Sequence, residues 1–349
     1  MNNGYFHRVN RLTQNRMWIN NPTSREAVLA IDAGAINCTT NPTYASKQLI
    51  SDSDRELTLA AIDEAIKMTD DDSEAAAIVQ RKLVKRLMDI FLPLYQKKPG
   101  EWGMVSIQGN PHTEENPDSI VKEALEDVKL GPNPIAKIPV TDSGLKAIEY
   151  LVTKDVPIIA TEIMSISQAV HVCEVYKKAS SRSGKNPPLF VTHITGIFDQ
   201  YLAELVKREN ISIEKDLLWQ AGCIVARKQY KLMKERQYPG IMLGGGARDL
   251  HHFTEMIGSD MHVTINWKGT ADKLIENDPP VVYRMDAPVP KHIVDELSAK
   301  IPDFVRAYEE DALSVSEFMD FGPVAFFRNM FIKGWDEVTA AICECRKSI

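Results

Sequence analysis

Short apolar runs alternate with amphipathic helical stretches along most of the chain. Eight runs have the length and composition of buried strands, and they lie at residues 17–20, 36–40, 103–107, 135–139, 157–161, 189–193, 240–243 and 262–265. Helical periodicity lies between most of them, at residues 24–33, 119–129, 143–153, 165–179, 216–235 and 250–257. Alternating strands and helices favour parallel strands with right-handed crossovers. Eight such units predict an α/β fold, a closed (β/α)8 TIM barrel with its active site at the carboxyl ends of the strands.

One segment departs from a minimal barrel between strands two and three. Residues 55–95 predict two helices, separated by an Asp-Asp-Asp-Ser run in which Asp72 or Ser73 is placed to cap the second helix. We interpret this pair as a helical insertion over about residues 52–98. Residues 194–215, after strand six, are interpreted as a second, irregular insertion.

The end of the chain predicts a helical extension. Beyond residue 277 a proline-rich link leads to helical patterns near 292–309 and 323–346. We therefore expect a barrel domain over residues 1–277 and a C-terminal extension over 278–349. This extension is expected to pack on the barrel or on a neighbouring subunit, so a homo-oligomer is one possible assembly.

Composition narrows the class of protein. The 349 residues are 44% hydrophobic and 26% charged, as in an ordinary globular protein with a large core. A formal charge of −7 offers no basic field for nucleic acid. The first twenty residues hold no apolar run long enough for a signal sequence or a membrane span, which predicts a cytosolic protein.

Metal binding is not indicated by the sequence. The five cysteines are scattered without zinc-ligand spacing, so we expect reduced, mostly buried thiols. His251 and His252 lie on a predicted helix without a carboxylate at metal spacing, which favours surface histidines over ligands. We predict no metal and no other cofactor.

Lys137 is the most unusual charged residue in the chain. It lies in the apolar run Ile-Ala-Lys-Ile-Pro-Val at residues 135–140, which predicts a strand buried on both faces. Burial disfavours the ammonium form and leaves a neutral amine able to attack a carbonyl carbon. The alternative is a structural lysine that extends to the barrel mouth or pairs with a carboxylate, and the strand alone does not decide between them.

Four segments together resemble the transaldolase family, which includes the fructose 6-phosphate aldolases. They are Cys-Thr-Thr-Asn-Pro-Thr at 38–43, Ala-Lys-Ile-Pro-Val-Thr at 136–141 followed by Gly-Leu and Ala-Ile at 144–148, Thr161 with Gln168, and Met-Leu-Gly-Gly-Gly-Ala-Arg at 242–248 before the eighth strand. They follow the family order between about residues 17 and 277. The first two motifs are specific, whereas the insertions and the tail are not covered.

The resemblance implies a Schiff-base enzyme. Lys137 would attack the carbon of a ketose carbonyl, and cleavage would leave a dihydroxyacetone unit on the lysine for transfer to a second aldehyde. Asn41, with Thr40 beside it, would bind hydroxyl groups of that unit. Thr161 would position the catalytic water or the lysine nitrogen, and Ser165 in the same segment would bind substrate. Ketose and aldehyde substrates are the expected partners.

The departures from the family concern proton transfer. The family has an aspartate at the end of strand one, where this chain has Asn20, or Asn21 if the register slips, and an amide cannot act as a general base. Glu162 is adjacent to the site, but alternation along strand five points it away from Thr161, so a replacement base there is the less favoured interpretation. On strand three Gln108 stands where transaldolases have glutamate and the aldolases have glutamine.

Substrate recognition is altered too. On strand six Phe190 falls where transaldolases have phenylalanine and the aldolases have an acid/base tyrosine. The family's phosphate-binding arginine after strand six is replaced by His193 or, in the other alignment, by Gly196. Arg248 persists after strand seven.

Gly245 and Gly246, just before Arg248, can offer backbone N–H groups to an anion. His193 is weighed equally as an anion ligand, with a role in proton transfer left open, and as a plain strand-end histidine.

These observations predict a transaldolase or aldolase acting on a ketose with an anionic or polar tail, with Lys137, Thr161, Gln108 and Asn20 around the reacting atoms. The alternative is a sugar-binding or scaffolding barrel that has lost turnover. Asn20 favours the alternative, whereas Lys137 with Asn41 and Thr161 favours the enzyme.

Overall fold

Eight parallel strands close into a barrel in the computed structural model, which describes residues 4–347. The strands are β1 (Arg16–Asn20), β2 (Asn37–Thr39), β3 (Val105–Ile107), β4 (Pro134–Pro139), β5 (Ile158–Thr161), β6 (Leu189–Ile194), β7 (Ile241–Gly245) and β8 (His262–Ile265). They pair in chain order, and β8 closes on β1 with Ile19 opposite Ile265. The predicted (β/α)8 fold is confirmed.

Helices surround the strands and cover the barrel. They are α1 (Tyr5–Leu12), α2 (Ser24–Ala33), α3 (Tyr44–Leu49), α4 (Arg55–Ala65), α5 (Asp72–Lys97), α6 (Pro117–Asp127), α7 (Asp142–Thr153), α8 (Ile166–Ser183), α9 (Thr195–Glu209), α10 (Lys215–Leu218), α11 (Ala221–Glu235), α12 (His251–Thr254), α13 (Asp272–Asn277), α14 (Lys291–Lys300), α15 (Pro302–Tyr308) and α16 (Gly322–Lys347). Within residues 4–347 no helix has the length and apolar character needed to cross a membrane.

The turn residues between strands and helices explain where the helices begin. Thr23 and Glu26 form a capping box at the start of α2. The Thr141 hydroxyl accepts the Gly144 N–H at the start of α7, and the Ser165 hydroxyl accepts the Gln168 N–H at the start of α8. Helices α2, α7 and α8 thus begin within five residues of the strands before them, and the parallel pairing keeps the carboxyl ends of the strands at one face.

The segment between β2 and β3 is only in part the helical insertion that the sequence predicted. Helix α5 packs on α2, β2 and β3, so it is the crossover helix of that unit, and α3 and α4 are the added elements. The cap of α5 is Asp71, whose side chain accepts the Glu74 N–H at 2.9 Å, so the prediction of Asp72 or Ser73 is wrong.

The prediction of an irregular segment over 194–215 is also wrong for most of its length. Helix α9 starts directly at the end of β6. Its buried residues Ile197, Phe198, Tyr201, Leu202 and Leu205 have helical spacing, and this face packs on α11.

The last helix lies against the mouth of the barrel. Helix α16 packs on α3, α5 and α9. A Cβ atom at Gly334 would lie 2.8 Å from Thr43 Cγ2, so the missing side chain lets α16 approach the loop after β2 closely. The C-terminal segment therefore packs on the barrel of its own chain. The division into two domains at residue 277 remains a prediction.

Candidate active site

A cavity of about 260 Å³ opens at the carboxyl ends of the strands. Seven of the predicted site residues line it, namely Asn20, Asn41, Lys137, Thr161, Gly245, Gly246 and Arg248. They come from five different segments of the sequence, and closure of the barrel brings them together. Five other predicted residues, Thr40, Gln108, Ser165, Phe190 and His193, do not line this cavity.

Strand alternation explains why the cavity is polar. An apolar layer fills the barrel below it, and this barrel floor consists of Trp18, Ile36, Met104, Ile135, Ile159, Phe190 and Leu243. Residues two positions further along a strand point to the same side. Ile135 is thus followed by Lys137 and Ile159 by Thr161, and both of these side chains line the cavity directly above the floor.

Lys137 lies at the base of the cavity with only 7% of its surface exposed. Its Nζ donates to the Thr40 carbonyl oxygen at 3.2 Å and lies 5.7 Å from the centre of the Phe331 ring. Burial lowers the pKa of Lys137 to about 8, against the opposing effect of the Glu162 and Glu114 charges. Roughly one lysine in ten is therefore a neutral amine at pH 7.

Asn41 is held rigidly beside the lysine. Its Oδ1 accepts from Asn21 Nδ2 at 3.0 Å and from the Thr43 hydroxyl at 2.7 Å. The amide oxygen is therefore fully used, and the NH2 group of Asn41 is the part available to a ligand in the cavity. Thr40 contributes its carbonyl to Lys137, while its hydroxyl donates to the Ser106 carbonyl at 2.6 Å, away from the cavity.

Asn20 occupies the top of β1 with both ends of its amide bonded. Its Oδ1 accepts from the Thr39 hydroxyl at 3.0 Å, and its Nδ2 donates to Asn266 Oδ1 at 2.9 Å. Asn21 follows with a left-handed backbone (φ 45°) and turns toward Asn41 instead. The register that places Asn20 in the cavity is therefore the observed one.

Two threonine hydroxyls in the cavity lack a protein partner. The Oγ1 atoms of Thr161 and Thr192 are buried and form no hydrogen bond with any residue in 4–347. Buried hydroxyl groups without partners are costly, so each is available to a ligand or a bound water.

Gln108 and two glutamates form a buried cluster beside Lys137. The Nε2 of Gln108 donates to Glu162 Oε1 at 2.9 Å and to Glu114 Oε1 at 3.1 Å. Burial raises the pKa of Glu162 to about 7 and raises that of Glu114 well above its usual range. Glu162 has a left-handed backbone (φ 61°) just beyond β5, so the strand alternation used to place it does not apply. Glu114 was missed because nothing in the loop after β3 marks it in the sequence.

A second cation, Lys47, joins Arg248 at the entrance of the cavity. Arg248 Nε donates to Gln200 Oε1 at 2.8 Å, and within residues 4–347 neither cation forms an ion pair with a carboxylate. Both side chains reach solvent but are flanked by protein, and this desolvation lowers the pKa of each. The Arg248 charge also lowers the pKa of Lys47. The entrance thus has two positive groups that form no ion pair within the described part of the chain, although the Glu26 charge partly opposes the lowering of the Lys47 pKa.

Three predicted substrate-binding residues lie elsewhere. Phe190 belongs to the barrel floor and packs edge-on against Trp18 at a ring separation of 4.8 Å. Ser165 is the N-cap of α8, and its hydroxyl bonds Gln168. Because Thr192 points into the cavity, the next residue on β6, His193, points outward toward Gln229 and Gly222. Burial lowers the pKa of His193 to about 4.

The histidine pair of α12 is buried, so its prediction as surface histidines is wrong. His251 and His252 are 6% and 2% exposed. Asp199 on α9 lies beside them, and the potential ligand atoms of the three side chains lie within 4.8 Å of one another, a spacing that a metal ion could bridge. His252 Nδ1, however, accepts the N–H groups of Arg248 and Asp249, and its Nε2 lies 2.9 Å from Asp199 Oδ2. Both nitrogens are therefore engaged, and the pair holds the loop that carries Arg248.

Helix α16 adds an apolar wall that sequence reasoning missed. Phe327, Met330 and Phe331 line the cavity from the side of the mouth. Their spacing marks one face of a helix, but which surface that face covers depends on tertiary packing. From the same helix Arg328 places Nε 3.5 Å from Glu114 Oε2 and Nη2 3.2 Å from Glu115 Oε1.

The protein is a (β/α)8 barrel with a buried lysine near the end of β4 and a polar cavity above that lysine. Residues 23–311 match the family model described as Transaldolase/Fructose-6-phosphate aldolase. The chain belongs to this family, and the resemblance carried by the four sequence segments is confirmed.

Individual relatives are distant. The transaldolase of Mycobacterium ulcerans (strain Agy99) is 26% identical over 212 residues, which cover 57% of this chain and 55% of that protein. The transaldolase of Thiobacillus denitrificans (strain ATCC 25259 / T1) is 26% identical over 255 residues, covering 64% and 68%. The chain thus matches about half the length of the mycobacterial relative. A crystal structure of 2,3-dimethylmalate lyase aligns with 86% of this chain and 98% of its own, at 8% identity and a TM-score of 0.32.

Proposed function

We propose that this protein is a Schiff-base aldolase or transaldolase that cleaves a ketose with an anionic tail and carries a dihydroxyacetone unit on Lys137. The observation that carries the proposal is the buried Lys137 amine, whose pKa of about 8 lies well below that of an ordinary lysine. A neutral amine is the form that attacks a ketone, and a lysine desolvated in an apolar site is a known way to obtain it.

The cavity supports the next steps of the reaction. Asn41 presents its amide NH2 group, and the Thr161 and Thr192 hydroxyls have no protein partner. These groups suit the hydroxyls of a three-carbon unit held on the lysine and the water that enters and leaves with it. Lys47 and Arg248 lie at the entrance, where the far end of a longer sugar would reach.

The test is chemical trapping of the imine. The protein is incubated with dihydroxyacetone or with fructose 6-phosphate, reduced with borohydride and digested for peptide mass spectrometry. We expect one adduct, on the peptide that contains Lys137, with a trapping rate that rises with pH through about 8 as the lysine loses its proton.

Lys154 provides the internal control. It is an exposed lysine on the same β/α unit, just after α7, and it should remain unmodified. Absence of an adduct at Lys137 across a panel of ketoses would contradict the proposal and favour the alternative of a sugar-binding barrel without turnover.

A further inference from the structure

The carboxyl groups beside Lys137 have no role in the steps described so far. Glu162 follows β5, Glu114 lies in the loop between β3 and α6, and both accept a hydrogen bond from the single amide group of Gln108. Glu162 has no exposed surface, and Glu114 is 3% exposed. Two carboxyl groups are thus gathered on one amide between the ends of β3 and β5, the two strands that flank β4, and their charges act on Lys137.

The charges around this cluster permit only part of it to be ionised. The cations that face it are Lys137 from β4 and Arg328 from α16, and Glu123 from α6 is the next acid. Two adjacent carboxylates in a buried site repel each other and lose hydration, so one of them retains a proton. Burial raises the pKa of Glu162 to about 7, next to the value of about 8 for Lys137. Glu162 and Lys137 therefore titrate in neighbouring pH ranges.

The geometry leaves room for that proton. The Oε2 atom of Glu162 is buried and forms no hydrogen bond with any residue in 4–347. A separate cavity of about 20 Å³ is lined by residues that include Gln108, Glu114 and Lys137; Glu162 does not line it and is connected to it through Gln108. A volume of this size accommodates roughly one water molecule. The left-handed backbone of Glu162 turns its side chain toward this cluster instead of along the strand.

We propose that Glu162 is the proton acceptor and counter-ion of Lys137, and that Gln108 and Glu114 position it. The inference rests on the proposed Schiff-base function. The Lys137 ammonium gives one proton to the Glu162 carboxylate, directly or through one water, and Nζ regains the lone pair that forms the bond to the ketone carbon.

The same proton completes imine formation. The neutral carbinolamine loses its hydroxyl as water when Glu162 returns the proton to the departing oxygen, and the nitrogen lone pair forms the C=N bond as the C–O bond breaks. The products are water, a protonated imine and the Glu162 carboxylate. A buried cation thereby forms next to an anion, which favours the imine over the carbinolamine.

The experiment compares the pH dependence of imine trapping in Glu162→Gln and in the unmodified protein. Dihydroxyacetone is the probe because it lacks an anionic tail and does not need Lys47 or Arg248. Cyanoborohydride trapping is followed by mass spectrometry from about pH 5 to about pH 9.5. Loss of the carboxylate should move the rise attributed to Lys137 about 1–3 pH units lower, since an adjacent opposite charge shifts a pKa by that much.

The same variant should also trap less adduct at equilibrium. Losing the counter-ion should lower the yield about ten-fold or more, because one pKa unit corresponds to a ten-fold change in the protonated species. Glu162→Asp should recover part of the lost yield.

Glu115→Gln is the matched control, since Glu115 is an exposed glutamate in the same loop as Glu114, and its profile should stay unchanged. Glu114→Gln is the second variant. It removes the carboxyl group that competes with Glu162 for ionisation on the Gln108 amide, so the titration of Glu162 should move to lower pH.

The outcomes distinguish the proposed role of Glu162 from the proposed Schiff-base function on which it rests. An unchanged pH profile and adduct yield in Glu162→Gln, or in Glu114→Gln if the first variant does not fold, would overturn the role of the carboxyl cluster. No adduct at Lys137 in the unmodified protein would instead contradict the proposed function itself.

Discussion

The barrel floor and the cavity above it are built from the same strands, one layer apart. In the floor, Trp18, Ile135 and Phe190 pack against one another as an apolar cluster. Among these three side chains only Trp18 forms a hydrogen bond, from Nε1 to His262 Nδ1 at 3.0 Å. One step higher the cavity is lined by Asn20, Lys137 and other polar side chains.

This difference shows how a barrel separates stability from chemistry. The floor buries apolar surface and fixes the positions of all strands at once, so it is the part whose loss should unfold the protein. The cavity contains buried polar groups, such as the partly charged Lys137 and the unpaired Thr161 hydroxyl, which cost stability. Substitutions in the two layers should therefore have opposite effects on stability and different effects on activity.

Lys137→Met should produce the largest effect. Removing a nucleophile of this kind should lower turnover by about three orders of magnitude or more. The same change should raise the free energy of unfolding at pH 7, because the cost of burying the Lys137 charge is removed and Glu162, whose pKa is raised to about 7, can take up a proton. Ketose cleavage assays and urea titrations measure the two effects.

The stability gain should depend on pH. The pKa of Lys137 is lower in the folded protein than in the unfolded chain, so the charged lysine destabilises the fold below about pH 8. This penalty disappears as the pH rises toward the pKa of an unfolded lysine, and the variant should lose its advantage there. A variant that is inactive and also less stable would mean that Lys137 is structural.

Phe190→Ala tests the floor. Phe190 is 3% exposed and packs against Trp18 and His262, and a buried phenylalanine replaced by alanine usually costs about 3–5 kcal/mol. Phe190→Leu should cost much less. The protein that remains folded should still form an imine at Lys137. If Phe190→Ala instead weakened substrate binding without changing stability, Phe190 would contact substrate, as the sequence predicted.

The two layers also differ in how well the sequence predicts them. All eight strands were found because each is a short apolar run, and Lys137 and Thr161, which the family resemblance selected, both line the cavity. His193 was placed at the mouth although the register of β6 turns it outward. A one-residue change of register reverses the face of every side chain on a strand, and a short run does not fix it.

The parts that escaped prediction depend on tertiary packing. Glu162 enters the site because its backbone adopts a left-handed conformation, which no local pattern indicates. Glu114, Lys47 and Phe331 come from segments outside the strands, and only the folded barrel brings them to Lys137.

Asn20→Asp tests whether a carboxylate at the top of β1 can act as a base in the cavity. A carboxylate at this position keeps the bond from the Thr39 hydroxyl, and Asn266 can rotate its amide to donate in place of accepting. Retro-aldol cleavage should become about 10² faster if the new base takes the proton of the hydroxyl at the broken bond. Asn20→Ala is the control for loss of the amide alone. A slower Asp variant would mean that the amide itself binds substrate.

Arg248→Ala should have the smallest effect, confined to the entrance of the cavity. The loop that carries Arg248 is fixed by its backbone N–H bonds to His252, so the substitution should leave the fold intact. A charge-assisted hydrogen bond to an anion contributes about 1.5–3 kcal/mol, which corresponds to a rise of about ten-fold or more in KM for fructose 6-phosphate with little change in turnover. Lys47→Ala should raise KM less, because Arg248 would remain. Dihydroxyacetone trapping is the substrate control, since a ketose without an anionic tail should not respond to either variant. Equal effects on both substrates would place the anionic tail elsewhere, and the two unpaired cations would then serve only to attract substrate to the mouth.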